Sequence, residues 1–332
     1  MAKTVTLIHG DGIGPEVISV AKKIIDASGA NIEWEEVNAG ESVLDKYKTP
    51  LPDYVIESIK KNKVALKGPI TTPVGGGFRS VNVALRQTLN LYANVRPIKS
   101  YEGIYCLHKN VDFIIVRENT EGLYAGIEHM VGDDAAESIK VITKKASNKI
   151  VKFAFELAKK DTRKKVTAVH KANIMKLSDG LFLRCFKNIA NEYNNIISED
   201  VIVDAMSMKL VQTPQNYDVI VAPNLYGDIL SDMAAGLVGG LGLAPGANIG
   251  DEIAVFEPVH GTAPDIAGKN LANPISAILS SIMMLKHIDE YEAALKIENA
   301  ISKVFKKNSK LTKDLGGNLG TKEFAQEIIK NI

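Results

Sequence analysis

The sequence predicts an α/β fold with a mainly parallel sheet buried on both faces, and three observations carry the prediction. Short β-branched runs alternate with longer helical patterns, glycine and proline mark the joints between them, and 332 residues are enough for two cores. Thr4–Ile8 reads as a strand, and Pro15–Ala27 as a helix opened by a glycine turn. Lys63–Leu66, Phe113–Val116, Val166–Val169, Val201–Ala205 and Asp218–Ala222 read as further strands. Ser80 suits the N-cap of a helix running to about Leu91, with Leu85 and Leu89 on its buried side. Asn273 and Pro274 open another helix, where Ile275, Ile278, Leu279 and Ile282 recur at 3–4 spacing. The glycine-rich stretch Gly236–Gly250 reads as a flexible connection able to act as a hinge, and Lys303–Lys313 as a solvated face.

Composition excludes several classes of function. Lysine plus arginine (40) nearly cancels aspartate plus glutamate (39), so the basic excess of a nucleic-acid binder is missing. An acidic substrate would need a local cluster of cations. Apolar runs such as Val111–Val116 and Val219–Ala222 are too short to span a bilayer, and the chain opens on a strand-like TVTLIHG. Cys106 and Cys185 cannot form a disulfide framework and lack metal-ligand spacing. The expectation is a soluble cytoplasmic protein that binds neither nucleic acid nor membrane.

His9-Gly-Asp-Gly-Ile-Gly-Pro-Glu16 stands where a dinucleotide fingerprint would stand, after a strand and before a helix. Counting G-x-G-x-x-G from Gly10 puts Pro15 at the third glycine, and no acidic residue ends a second strand at the expected distance. The loop does not establish a Rossmann fold.

The residues that point to chemistry lie elsewhere. Asn82 and Arg86 are four apart and share a helix face, with Ser80 beside them, and Arg96 follows in an extended stretch stiffened by Pro97. Arg117 ends the apolar run FIIV, at the carboxyl end of a strand, where open α/β sheets bind ligands. Three converging guanidiniums would suit a substrate with several carboxylates, whereas a single arginine is more often a surface ion pair. Asp228 and Asp232 are i and i+4 on one helical face, so a cation should sit between them. With Asp204 they make a Mg²⁺ or Mn²⁺ candidate, although the bare DxxxD pattern mostly decorates exposed helices. Lys171 follows the strand VTAV and can act as a base if burial or a cation lowers its pKa, and Tyr124 is either a proton donor or a packed aromatic.

The ordered strings HGDGIGPE, KGPITTPVGGG, LRQTLNLYANVRP, RENTEGLYAG, HKANIMK, NLYGDILSD and HGTAPDIAGKNLANP run nearly end to end. Together they resemble the β-decarboxylating dehydrogenase family of isocitrate, isopropylmalate, homoisocitrate and tartrate dehydrogenases. The resemblance implies an isopropylmalate-dehydrogenase-like two-domain α/β fold, not a Rossmann fold. Residues 1–92 and 239–332 would form a larger cofactor domain, and 93–238 a smaller dimerisation domain with a clasp-like β arm near 122–145. Isocitrate enzymes carry S-x-N-x-x-x-R where isopropylmalate enzymes carry apolar residues, so Ser80, Asn82 and Arg86 imply isocitrate. Arg86, Arg96 and Arg117 would hold its carboxylates, with Tyr124, Lys171 and Asn173 also at the substrate. Asp204, Asp228 and Asp232 would bind Mg²⁺ or Mn²⁺, with Asp204 and Lys171 coming from the neighbouring subunit of a homodimer or higher oligomer.

For the cofactor, the resemblance implies a site made by Thr72, Asn82, His260, Gly261, Thr262, Ala263, Asp265, Ile266 and Asn273. NADP-dependent relatives carry Lys-Tyr where this chain has Asp265-Ile266. A carboxylate accepts from a ribose 2′-hydroxyl and repels a 2′-phosphate, which favours NAD. Lys171 with Asp204 would relay the hydroxyl proton, and Tyr124 would protonate the enolate left by decarboxylation. The rivals are a homoisocitrate or 3-isopropylmalate dehydrogenase of broad specificity, and a non-catalytic regulatory subunit.

Overall fold

The computed structural model describes residues 2–72 and 80–332, so the PVGGG of the KGPITTPVGGG string lies outside the described residues. The strands are β1 (Lys3–Ile8), β2 (Ile32–Val37), β3 (Val64–Lys67), β4 (Ala93–Lys99), β5 (Asp112–Glu118) and β6 (Glu128–Val131). They continue as β7 (Ala135–Ser138), β8 (Lys165–His170), β9 (Ile197–Ile202), β10 (Val219–Ala222), β11 (Pro245–Ile249) and β12 (Ala254–Pro258). Among the described residues, ten of them form one sheet in the order β2-β1-β3-β12-β11-β4-β5-β10-β8-β9, while β6 and β7 pair only with each other.

Alternation along the strands sends side chains to two separate cores. On β10, Val219 and Val221 join one cluster and Ile220 and Ala222 the other. The helices Gly14–Ser28, Lys144–Lys160, Ser178–Ala190 and Ile275–His287 cover the first face, together with Tyr291–Lys307 and Thr321–Ile329. Helices Asp53–Asn62 and Val81–Thr88 cover part of the second face, and Val203–Gln212 and Asn224–Leu237 cover the rest. The expected burial of both faces is therefore present.

Several local expectations are corrected. The sheet is mainly parallel as expected, but its centre is antiparallel, where β11 pairs with β12 and β4, and β4 with β5. Gly236–Gly250 is not a flexible connection throughout. After the Asn224–Leu237 helix ends, Pro245–Ile249 becomes the buried central strand β11. Its sequence, PGANI, hides the strand because Gly246, Ala247 and Asn248 lack β-branching. Asn248 is tolerated there because Asn94 and Asn119 donate to its oxygen, at 2.9 and 3.0 Å, and its amide donates to Glu257 at 2.7 Å.

Asp204 does not end a strand: β9 stops at Ile202, and Asp204 sits in the first turn of the Val203–Gln212 helix, where the dipole favours a carboxylate. The helix after Ser80 stops at Thr88, short of Leu91, and Ser80 holds the cap position without a side-chain cap bond. The later helix starts at Ile275 with Pro274 in the cap position, while Asn273 still accepts from the Ile275 N–H at 3.0 Å.

Candidate active site

A cleft of about 200 Å³ opens where β3, β4, β5 and β12 deliver their ends, lined by Ser80, Asn82, Arg86, Arg96, Arg117, Tyr124, Asp228, His260 and Gly261, among others. The three arginines expected to converge do converge. Arg117 is fixed most firmly. It is 1% exposed, and its Nε and Nη2 donate to the Asn224 side-chain oxygen at 2.9 and 2.7 Å, while its Nη1 pairs with Asp228. Gly227 permits this, because a Cβ there would stand 2.6 Å from the Arg117 Cβ. Burial and the neighbouring Arg86 and Arg96 press on the Arg117 guanidinium and lower its pKa against the pull of Asp228.

Arg96 answers the repulsion expected between Asp228 and Asp232. Its guanidinium lies 3.3 Å from Asp228 and 2.8 Å from Asp232, and it also donates to Ser231 at 2.5 Å and Asn94 at 2.8 Å. Burial raises the Asp232 carboxyl above its ordinary range. Burial acts on Asp228 too, but Arg117, the Tyr124 hydroxyl and Arg96 outweigh it and hold that carboxyl low. Tyr124 donates to Asp228 at 2.5 Å, and burial together with that hydrogen bond raises the phenol's pKa.

Arg86 donates to Glu257 at 3.2 Å, and Glu257 also pairs with Lys67 at 2.6 Å. Lys67 is 1% exposed. Burial alone would raise the Glu257 carboxyl, yet the two cations and Asn248 hold it at about 2. Sequence reasoning missed Lys67 and Glu257. The signal was present in a lysine closing the apolar strand VALK and a glutamate inside VFEP, since a charge there must be buried against a partner.

Among the described residues, three buried polar atoms at the cleft have no partner: Asn82 Oδ1, Arg86 Nε and His260 Nε2. Native proteins rarely leave such groups unsatisfied, so a polar ligand with donors and acceptors fits there. Burial lowers the His260 pKa, which keeps the imidazole neutral at pH 7. Thr72 does not itself line the cleft but donates to Ser80, which does, at 3.2 Å. Beyond Gly261, Thr262 and Ala263 lead into the turn Pro264–Ile266, where Asp265 is exposed and Ile266 half-buried. The Asn273 side chain is engaged within the chain: its amide donates to Asp314 at 2.9 Å and its oxygen caps Ile275.

Lys171, Asn173 and Asp204 do not line the cleft. Lys171 follows β8, pairs with the exposed Asp204 at 2.5 Å, and has the exposed Asn173 two residues on. Among the described residues no three His, Cys, Asp or Glu side chains converge as a metal cluster, so one chain does not bring Asp204 to Asp228 and Asp232.

A family model described as isocitrate/isopropylmalate dehydrogenase matches residues 4–328. The chain belongs to this family. Similar members include a Drosophila melanogaster protein named as the probable mitochondrial alpha subunit of NAD isocitrate dehydrogenase, 53% identical over 98% of this chain and 86% of the relative. A Dictyostelium discoideum protein, named as a mitochondrial regulatory subunit of NAD isocitrate dehydrogenase, is 52% identical over 99% of this chain and 91% of its own length. A crystal structure of isocitrate dehydrogenase from Methylococcus capsulatus matches with a TM-score of 0.97 and 52% identity, covering 100% of this chain and 99% of that one. As a member of this dehydrogenase family the chain is an oxidoreductase, and its ten-stranded sheet is the family's fold. No helix among the described residues is long and apolar enough to cross a membrane.

Proposed function

We infer that this chain oxidises and decarboxylates isocitrate to 2-oxoglutarate and CO₂ while reducing NAD, with Mg²⁺ or Mn²⁺. The observation that carries the substrate is the pairing of three arginines in one cleft with Ser80 and a buried Asn82 oxygen that has no partner among the described residues. An apolar substituent there would leave Asn82 without a partner, at a cost of about 1–3 kcal/mol. Arg86, Arg96 and Arg117 orient the carboxylates, and Ser80 and Asn82 receive the third. The cofactor lies along Thr72, Asn82 and the loop from His260 through Gly261, Thr262, Ala263, Asp265 and Ile266 to Asn273.

When bound, NAD accepts the hydride and the divalent cation polarises the substrate's C2 oxygen. Asp228 and Asp232 supply hard oxygen donors of the right kind for that cation, and Asp204 completes the set from a second subunit. Lys171 and Asp204 relay the C2 hydroxyl proton, the lysine taking it up as its own proton passes to Asp204. The β-keto acid so formed loses CO₂, and Tyr124 gives its proton to the remaining enolate carbon.

We propose that these sites are shared in a homodimer. Lys171 and Asp204 lie outside their own cleft, and exposed apolar side chains stand near them in the sequence: Ile174 and Leu177 are 69% and 86% exposed, and Met208 and Val211 are more than half exposed. The proposed division into residues 1–92 with 239–332, and 93–238, follows the sheet, since β2, β1, β3, β12 and β11 fall in one part and β4, β5, β10, β8 and β9 in the other. The β6–β7 hairpin, both of whose strands are exposed throughout, is the proposed clasp arm. A reducing cytoplasmic location suits the free Cys106 and Cys185, although the curated relatives carry mitochondrial names.

The regulatory name of one relative favours a second reading, in which this chain binds ligands without turning them over. NADH and NADPH formation by the purified chain with Mg²⁺, offered isocitrate, homoisocitrate and 3-isopropylmalate in parallel, separates the readings. We expect NADH from isocitrate. A preference for another acid overturns the Ser80–Asn82 assignment, and silence with all three favours the regulatory reading.

A further inference from the structure

We propose that the His9–Glu16 glycine loop is a buckle that holds the two cofactor segments in register, with Asp11 as its positioning residue. The inference rests on the reading that Thr72 and the 260–266 loop hold NAD. The loop imitates a dinucleotide fingerprint, yet its glycines approach protein backbone. A Cβ on Gly10 would stand 2.1 Å from the Pro69 carbonyl oxygen, and one on Gly12, which has φ +57°, 2.1 Å from that of Thr262. On one side the Asp11 N–H donates to the Pro69 carbonyl at 2.8 Å. On the other the Ile13 N–H donates to the Thr262 carbonyl at 2.9 Å, and Glu16 accepts from the Asn270 N–H at 3.3 Å.

Asp11 is the centre of this arrangement. The residue is 6% exposed, and each carboxylate oxygen accepts one backbone N–H: Oδ1 from Glu41 at 2.9 Å and Oδ2 from Thr71 at 3.0 Å. Thr71 precedes Thr72 at the exit of β3, and Thr262 follows His260 at the exit of β12, so one short loop ties together two segments far apart in the chain. Pro69 and His260 line the substrate cleft, but the partners that hold Arg86, Arg96 and Arg117 are other residues, namely Glu257, Asn94, Ser231, Asp232, Asn224 and Asp228. Losing Asp11 should therefore loosen the cofactor segments and leave isocitrate recognition nearly intact.

The test is equilibrium titration of the full chain with NADH, read by NADH fluorescence and needing no turnover, alongside steady-state KM for isocitrate at saturating NAD. Asp11→Ala should raise the NADH Kd at least about tenfold, the size expected for losing a hydrogen bond to a charged group, with isocitrate KM within about threefold. Asp11→Asn should fall between, because its single amide oxygen can accept only one of the two N–H groups. Gly12→Ala, which pushes on Thr262 from the other side, should weaken NADH in the same way and keeps the test open should Asp11→Ala fail to fold. An unchanged NADH Kd in the folded variants overturns the proposal, as does an equal rise in isocitrate KM, which would mark general destabilisation. Asp265→Ala is the control. If it leaves NADH binding untouched, the cofactor reading fails and the inference with it, whereas if it weakens binding and the Asp11 variants do not, only the inference fails.

Discussion

In the proposed mechanism Tyr124 keeps its proton until the enolate takes it. Burial and the hydrogen bond to Asp228 raise its pKa, so the phenol stays protonated throughout neutral pH and can give that proton to an enolate carbon. In the proposed mechanism carboxylate recognition falls to Arg86, Arg96 and Arg117, and the Tyr124 hydroxyl contributes little to it. Tyr124→Phe should therefore lower kcat by roughly 10²-fold or more, as expected for removal of a general acid, with isocitrate KM within about threefold. Steady-state kinetics at about pH 7.5, where the phenol is fully protonated, decides it, and unchanged kcat removes Tyr124 from the mechanism. Tyr124, Asn82 and the three arginines could be expected at one site because their motifs resemble a known family, while local chemistry alone left each of them open. Lys67 and Glu257 were not expected there, since their partnership is made only when β3 and β12 lie side by side.

At the scale of elements, the centre of the sheet is held by polar groups. Lys67 on β3, Glu257 on β12, Asn248 on β11 and Asn94 and Arg96 on β4 form a continuous chain of hydrogen bonds and ion pairs, ending at Asp228 and Asp232. This explains why β11 escaped sequence reasoning: its residues answer to neighbours on other strands and carry no period-2 apolar pattern. It also gives the seam a pH signature. Glu257 has its pKa depressed from 4.5 to about 2, so its stabilisation is fully present above pH 4.5 and is lost as pH falls through about 2. Glu257→Gln leaves Lys67 and Arg86 without their shared anion and should cost about 3–5 kcal/mol at neutral pH. Thermal unfolding of both proteins from about pH 7 down to about pH 3 should show the gap narrowing in acid. A gap of constant size would mean that packing at Glu257 matters and its charge does not.

The proposed active site is larger than one chain. The arginines that would bind carboxylate lie in one cleft, while the proposed base, Lys171, and its partner Asp204 lie outside it, near the exposed Ile174, Leu177, Met208 and Val211 in the sequence. That separation gives a quantitative test of sharing. If the sites are shared as proposed, Lys171→Met should disable the site of the partner subunit and Tyr124→Phe the chain's own. Each variant alone should be nearly inactive. When the two are mixed, dissociated and reassociated at random, about half of the dimers are hybrids carrying one doubly altered and one intact site, so about a quarter of wild-type activity should return. The recovered activity should grow with the hybrid fraction measured by native mass spectrometry. If each chain instead held its whole site, no hybrid would contain an intact one, and activity would stay at the floor of the separate variants. If the wild-type chain proves monomeric and gains activity only with a different chain, as the names of its relatives suggest for them, the exposed apolar side chains belong to that partner and the homodimer is wrong.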